Sequence, residues 1–290
     1  MVINEILLML SEIVLSSYPL LIKLVDASVL FQVGLRMYVY AGLAAAAAVL
    51  TGVPIVPTTL FSTETVATGV LNLLHVIGSY VGFDQLAAGN AMALFYTYPV
   101  WNILGASALF GEKIQLRSLP WIGLAVAGTI ALAQPSKTNW TFIGIVAALV
   151  AAVTETGIYL WFKSHKDNES DQPYTKMVQM YGSSGALWTI AVIIGLVFGL
   201  VSLKVFKISS GGLSSILLFN SLVGFVGYAL RFYLIPKVST VVFSALSFFG
   251  IISAYLLSWL FTNETPSALQ ALGAAAIILA NIVLVTKETI

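Results

Sequence analysis

Apolar runs of roughly twenty residues, the length a helix needs to cross a bilayer, follow one another along the whole chain. Charges and clusters of Gly, Pro, Asn and Ser interrupt them and predict ten spans, near residues 3–25, 28–50, 65–83, 87–110, 118–133, 141–163, 174–200, 212–235, 239–261 and 267–286. Two turns are very short: 83–87 carries Asp84, and 235–239 carries Pro236 and Lys237. The first run, Ile3 to Leu24, has neither a basic segment before it nor a small-residue cleavage site, so it reads as a retained helix rather than a signal peptide.

Composition turns this pattern into a class. Of 290 residues 59% are hydrophobic and 9% charged, where a soluble domain carries about a quarter charged residues. The bilayer is then the solvent, and helices are the element that closes its own backbone hydrogen bonds there. The expected class is an all-α, multi-pass integral membrane protein. Net charge is +1 and the longest charged stretch, Lys163 to Asp171, is short, which excludes a nucleic-acid surface. The absence of cysteine excludes disulfides, thiol catalysis and cysteine metal sites. An even count of spans puts both termini on one side. That side carries Lys113, Arg117, Lys163, Lys166, Lys176, Lys237 and Lys287, against Lys23, Lys137, Lys204 and Lys207 opposite. The positive-inside bias therefore makes both termini cytoplasmic.

The longest polar connection, Lys163 to Pro173, is not the natural division. A boundary at Gln134 to Trp140 leaves five spans on either side, residues 1–137 and 138–290. Span four ends in FGEKIQLRSLPWIGLAVAG from Phe110 and span nine in FTNETPSALQALGAAAI from Phe261. Both run through a Glu and a short polar turn into a Gly/Ala-rich helix. An odd number of spans per half forces opposite topology on the two copies, the inverted-repeat arrangement of many secondary transporters.

The stretch Leu86 to Leu132, with Pro99 inside span four, Glu112 closing it and Gly123 and Gly128 in span five, resembles the signature half-domain of the EamA-like branch of the drug/metabolite transporter (DMT) superfamily. Arg36 resembles that family's second-span arginine, and Lys23 stands where its first span often ends in Lys. The second copy departs from the pattern, with Phe249 or Ile251 near the position of Pro99. The resemblance implies carriage of a small organic metabolite by alternating access, and a cavity lined by spans four and nine. It spans exporters of amino acids and carriers of nucleotide sugars and sugar phosphates, although no Lys-Arg pair of the phosphate-carrying plastid branch stands near span nine.

Candidate pathway residues follow from polarity at membrane depth. In span nine Thr240, Ser244, Ser247, Ala254 and Ser258 share a face, and in span four Asn90, Thr97 and Trp101 do, with Tyr98 and Asn102 beside them. Small polar stripes also serve plain helix packing. Gly78/Gly82 and Gly195/Gly199 fit GxxxG packing, and Glu112 and Glu264 read as turn and cap residues. The sequons at Asn139, Asn168 and Asn263 lie close to the membrane and are assigned no glycan.

Four ionisable groups fall deep within spans. At about 1.5 Å rise per residue, Glu12 and His75 lie roughly 14–15 Å in, Arg36 roughly 12 Å and Glu155 roughly 20 Å from the outer start of its helix. Arg231 stands near a helix end, where it can snorkel. An ionised side chain at such depth costs around 3 kcal/mol on insertion scales and usually faces a water-filled pathway. Arg36 either attracts an anionic substrate group or pairs with a carboxylate or backbone carbonyls to hold the bundle together. Glu12, Glu155 and His75 could exchange protons or face an amine. The implied partners are a small-molecule substrate, the lipid bilayer and protons; a homodimer is compatible with the reading, and no motif calls for a cofactor. An intramembrane enzyme would need a nucleophile with its base or an acid pair, and no DDxxD motif occurs, while a channel or scaffold would lack saturable exchange.

Overall fold

The computed structural model describes residues 2–18, 25–55, 62–86, 88–134, 140–164, 173–262 and 267–288. Apart from turns these residues are helical: α1 (Val2–Leu15), α2 (Val29–Leu50), α3 (Thr63–Gln85), α4 (Ala88–Phe95), α5 (Tyr98–Phe110), α6 (Leu119–Ala133), α7 (Phe142–Ser164), α8 (Tyr174–Val197), α9 (Ser210–Phe219), a π turn (Asn220–Phe225), α10 (Val226–Leu234), α11 (Thr240–Ser247), α12 (Phe249–Thr262) and α13 (Ala268–Glu288). Lys23, Lys137, Lys166, Glu264 and the three sequon asparagines lie outside the described residues, as do the side chains of Ser258 and Lys287.

Eight helical spans of the described residues are long and apolar enough to cross a membrane. The ten expected from sequence differ at two places. The described part of α1 is 14 residues long, and span four is divided into α4 and α5, of 8 and 13 residues. The division has a backbone cause. Pro99 brings no N–H to the first turn of α5, and at the junction Thr97 N reaches back only to the Leu94 carbonyl at 3.3 Å. Span nine is interrupted likewise at Phe248, without a proline.

Serines start the spans where the sequence places them. The hydroxyls of Ser28, Ser62, Ser209 and Ser239 accept from the N–H three residues on at 3.0–3.3 Å, capping α2, α3, α9 and α11. Glycines set the closest crossings. A Cβ on Gly78 would stand 2.7 Å from the Ala147 carbonyl of α7, and one on Gly273 2.6 Å from Leu132 N of α6. The Gly78/Gly82 pair thus packs α3 against α7. Gly195/Gly199 does not pack two helices: Gly199 has φ +70 and turns the chain after α8, and Gly195 faces Val201 of the same turn.

The principal packing pairs are α3 with α7 and α8, α1 with α10, α11 and α12, α2 with α8 and the π turn, α5 with α7 and α11, α4 with α6, α11 with α13, and α6 with α13. The helices α1, α3, α7 and α10 surround the middle of the molecule, and the charged site lies among them.

Candidate functional site

Helix α1 turns Ile3, Ile6 and Leu10 outward and buries Leu8, Ser11, Glu12 and Leu15, an i, i+3, i+4, i+7 face that carries one carboxylate inward. In α7 the small residues Ala148, Ala151 and Ala152 let α3 approach closely, and the next turn of that face brings Glu155 toward His75. Arg231 of α10 lies between the two acids. Its Nη1 donates to Glu12 Oε1 at 2.8 Å and its Nη2 pairs with Glu155 Oε1 at 2.7 Å. Glu155 Oε2 is 3.4 Å from His75 Nε2, and His75 Nδ1 lies 3.2 Å from the Ala151 carbonyl. Ser247 donates to Glu12 at 3.4 Å. All four ionisable side chains are at most 5% exposed.

Arg36 of α2 forms a second centre. Its guanidinium carbon is 4.8 Å from the ring centroids of Tyr18 and Tyr228 and 5.3 Å from that of Tyr40. The Tyr18 hydroxyl meets that of Tyr40 and donates to Asn220 Oδ1 at 2.9 Å, which ties this aromatic frame to the π turn. Both centres line one cavity, together with Tyr80, Phe95, Tyr96 and Tyr98.

Of the sequence-predicted residues, Glu12, Arg36, His75, Tyr98 and Glu155 line this cavity, and Ser247 touches it through Glu12. Ser244 is buried one turn away, and among the described residues its hydroxyl has no hydrogen-bond partner. The face drawn through Asn90, Thr97 and Trp101 does not form. Asn90 is fully buried, Thr97 bonds the Leu94 carbonyl at 2.7 Å, and Trp101 is 46% exposed on the outer surface. The break at Tyr96–Thr97 rotates α5 relative to α4, so residues in phase on a continuous helix fall on different sides.

Two further expectations change. Arg231 does not snorkel: it is 4% exposed and holds two carboxylates. Arg36 has no carboxylate within ion-pair distance among the described residues and is framed by tyrosine faces instead. The signal for Arg231 was arithmetic. Two glutamates deep in their spans, Glu12 and Glu155, against one arginine placed deep, Arg36, ask for a second cation, because buried charges are paired. The tyrosine frame had no such signal, since Tyr18, Tyr40, Tyr80 and Tyr228 come from segments far apart in sequence.

Eight apolar spans around a buried set of charges define a multi-pass helical membrane protein with a polar cavity at its centre. No family model matches the chain. The WAT1-related protein At3g02690, chloroplastic, of Arabidopsis thaliana is 27% identical over 69% of this chain and 48% of its own length. The uncharacterized transporter sll1319 of Synechocystis sp. is 24% identical over 39% of this chain and 35% of its own length. The matched region thus spans about half, or less, of these curated relatives. One solved crystal structure superposes with a TM-score of 0.76, covering 97% of this chain and 96% of the other at 16% identity, a likeness of fold alone.

Proposed function

We propose that this chain is a secondary transporter of the drug/metabolite superfamily, EamA-like, which moves a small organic metabolite such as an amino acid or similar amphipathic solute by alternating access. In this reading ten spans form two inverted five-helix repeats, 1–137 and 138–290, with both termini cytoplasmic. The packing supports the repeat. Number the spans one to ten, with α4 and α5 as four, α9 to α10 as eight, and α11 and α12 as nine. Exchanging span n with span n+5 then maps the contact 3–6 onto 1–8, 3–7 onto 2–8, 4–6 onto 1–9 and 4–5 onto 9–10. The contacts 2–7, 4–9 and 5–10 map onto themselves. The Synechocystis relative is named a transporter, which agrees with this reading.

The observation that carries it is the origin of the charged set. Glu12 and Glu155 come from spans one and six, His75 and Arg231 from spans three and eight, two repeat-related pairs meeting at one cavity where alternating-access carriers bind. Protons enter through the histidine. A carbonyl only accepts, so His75 Nδ1 facing Ala151 O must carry a hydrogen. Nε2 and Glu155 Oε2 would then be two acceptors 3.4 Å apart unless one of them holds a proton. That pair is the proposed proton site.

The test is counterflow in proteoliposomes loaded with amino acids, nucleobases or nucleotide sugars. A carrier gives saturable uptake stimulated by solute on the far side; flux that is linear in concentration, or absent for every solute, refutes the reading. Glu155→Gln and His75→Ala should both abolish dependence on a pH gradient, and His75→Ala should do so while solute exchange persists. If both keep the parent's pH profile, the proton site is wrong.

A further inference from the structure

The cavity is lined by a cation and an acid whose hydrogen bonding is incomplete among the described residues. Arg36 is 2% exposed, held by ring faces that attract its charge, and has the hydroxyls of Tyr80, Tyr181 and Tyr228 near its guanidinium. Among the described residues its Nε and Nη2 have no hydrogen-bond partner. On the other wall, Glu155 Oε1 is taken by Arg231, while Oε2, 3.4 Å from His75 Nε2, accepts no hydrogen bond among the described residues. Once the His75–Glu155 pair has given up its proton, Glu12, Arg231 and Glu155 sum to one negative charge. Arg231 also has an unbonded Nε, but two carboxylates meet its charge and none meets that of Arg36. Buried ionised groups without hydrogen bonds are costly, and here a donor edge and an acceptor oxygen face one cavity.

We infer that the cavity takes a small zwitterion, its carboxylate on the donor edge of Arg36 and its ammonium against Glu155 Oε2. The fork of the guanidinium suits a planar, bidentate carboxylate. The body of the solute then lies against Tyr80, Phe95 and Tyr228, which line the same space. A doubly charged phosphate is disfavoured, because the cluster opposite Arg36 carries a net negative charge that repels it. The inference rests on the transporter reading only in that the solute reaches the cavity from water.

The purified full chain in detergent is screened by thermal shift against the common amino acids at about 10 mM, where mass action reveals millimolar binders. The best binder is then titrated beside its own decarboxylated amine and deaminated acid. The zwitterion should bind about tenfold to a hundredfold more tightly than either analogue, the worth of one charged hydrogen-bonded contact. Arg36→Gln should erase its advantage over the amine, and Glu155→Gln its advantage over the acid. Arg36→Lys keeps the charge without the fork and should recover only part of the affinity. The analogue series on the unaltered protein needs no variant to fold. The inference is overturned if no amino acid stabilises the protein, or if an analogue lacking one charge binds within about threefold of its parent. Counterflow of a nucleobase or nucleotide sugar without amino-acid binding would overturn this inference and leave the transporter reading intact. Two-charge recognition without counterflow would do the reverse.

Discussion

The ion cluster makes a quantitative prediction about stability. Arg231 pairs with Glu12 at 2.8 Å and Glu155 at 2.7 Å, and the two carboxylate side chains are only 2% and 3% exposed. Its guanidinium carbon also lies 5.1 Å from the Tyr98 ring centroid and 5.3 Å from that of Phe243. Arg231→Gln removes the shared cation and leaves two buried carboxylates facing each other. Removing one partner of a buried pair costs about 3–5 kcal/mol. At about 2–4 °C per kcal/mol for a domain of this size class, the melting midpoint should fall by roughly 6–20 °C. Glu12→Gln leaves Arg231 paired with Glu155 and should cost less. The decisive variant is the triple Glu12→Gln, Arg231→Gln, Glu155→Gln, which removes every charge of the cluster. Replacing a whole buried ion set is often close to neutral, so the triple should regain at least half of what Arg231→Gln loses. Thermal unfolding of the detergent-purified proteins, followed by fluorescence-detected size exclusion, reads all three. A loss below about 2 °C for Arg231→Gln, or a triple variant less stable than the single one, would refute a desolvated and mutually dependent cluster.

Three further perturbations are expected to act at defined places. Pro99→Ala supplies the missing N–H at the α4–α5 junction and should slow transport several-fold while folded yield holds; equal losses of rate and yield would point to packing instead. Gly250→Ala sets a methyl against the Tyr96 hydroxyl and 3.3 Å from Glu12 Oε2, so solute affinity should fall more than the melting midpoint, and a midpoint loss with unchanged affinity would contradict this. Lys163 is 6% exposed, donates to the Val238 carbonyl at 2.8 Å and lies 3.6 Å from Glu112. Lys163→Met should cost about 1–3 kcal/mol, measured as a lowered melting midpoint that Lys163→Arg largely restores.

What the sequence disclosed follows from which interactions are local. Span lengths are legible because a helix in lipid satisfies its backbone within itself, and serine caps act over three residues: Ser28 and Ser239 sit where boundaries were drawn, and Ser62 and Ser209 three residues before them. Depth along a helix is also local, and it singled out Glu12, Arg36, His75 and Glu155. Partners across helices are not local. Arg231 lies near a helix end in sequence, yet it meets acids 219 and 76 residues away in α1 and α7. Helical phase was legible only while the helix continued. Pro99 marked the break in span four but not its consequence for Asn90 and Trp101. Phe248 interrupts span nine with no proline and no glycine at its own position to announce it.

The departures from regular helix are not scattered. The junction at Tyr96–Thr97 is flanked by Tyr96 and Tyr98, both of which line the cavity. Phe248 stands between Ser247, which bonds Glu12, and Gly250, which packs on Tyr96 and Glu12. In the π turn, Asn220 accepts from Tyr18, and Gly224 lies against the hydroxyls of Tyr18 and Tyr40. Irregular backbone at membrane depth is tolerated where protein or a cavity covers it, and π segments collect at functional sites. Glu12, His75 and Glu155 sit by contrast on α1, α3 and α7, where the ladder of backbone bonds is unbroken. The acids and the histidine are therefore held on stiff elements, while the aromatic walls around them rest on segments whose helical bonding is already interrupted. Bending there reshapes the cavity at little further cost in backbone hydrogen bonds, and it does so without separating His75 from Glu155.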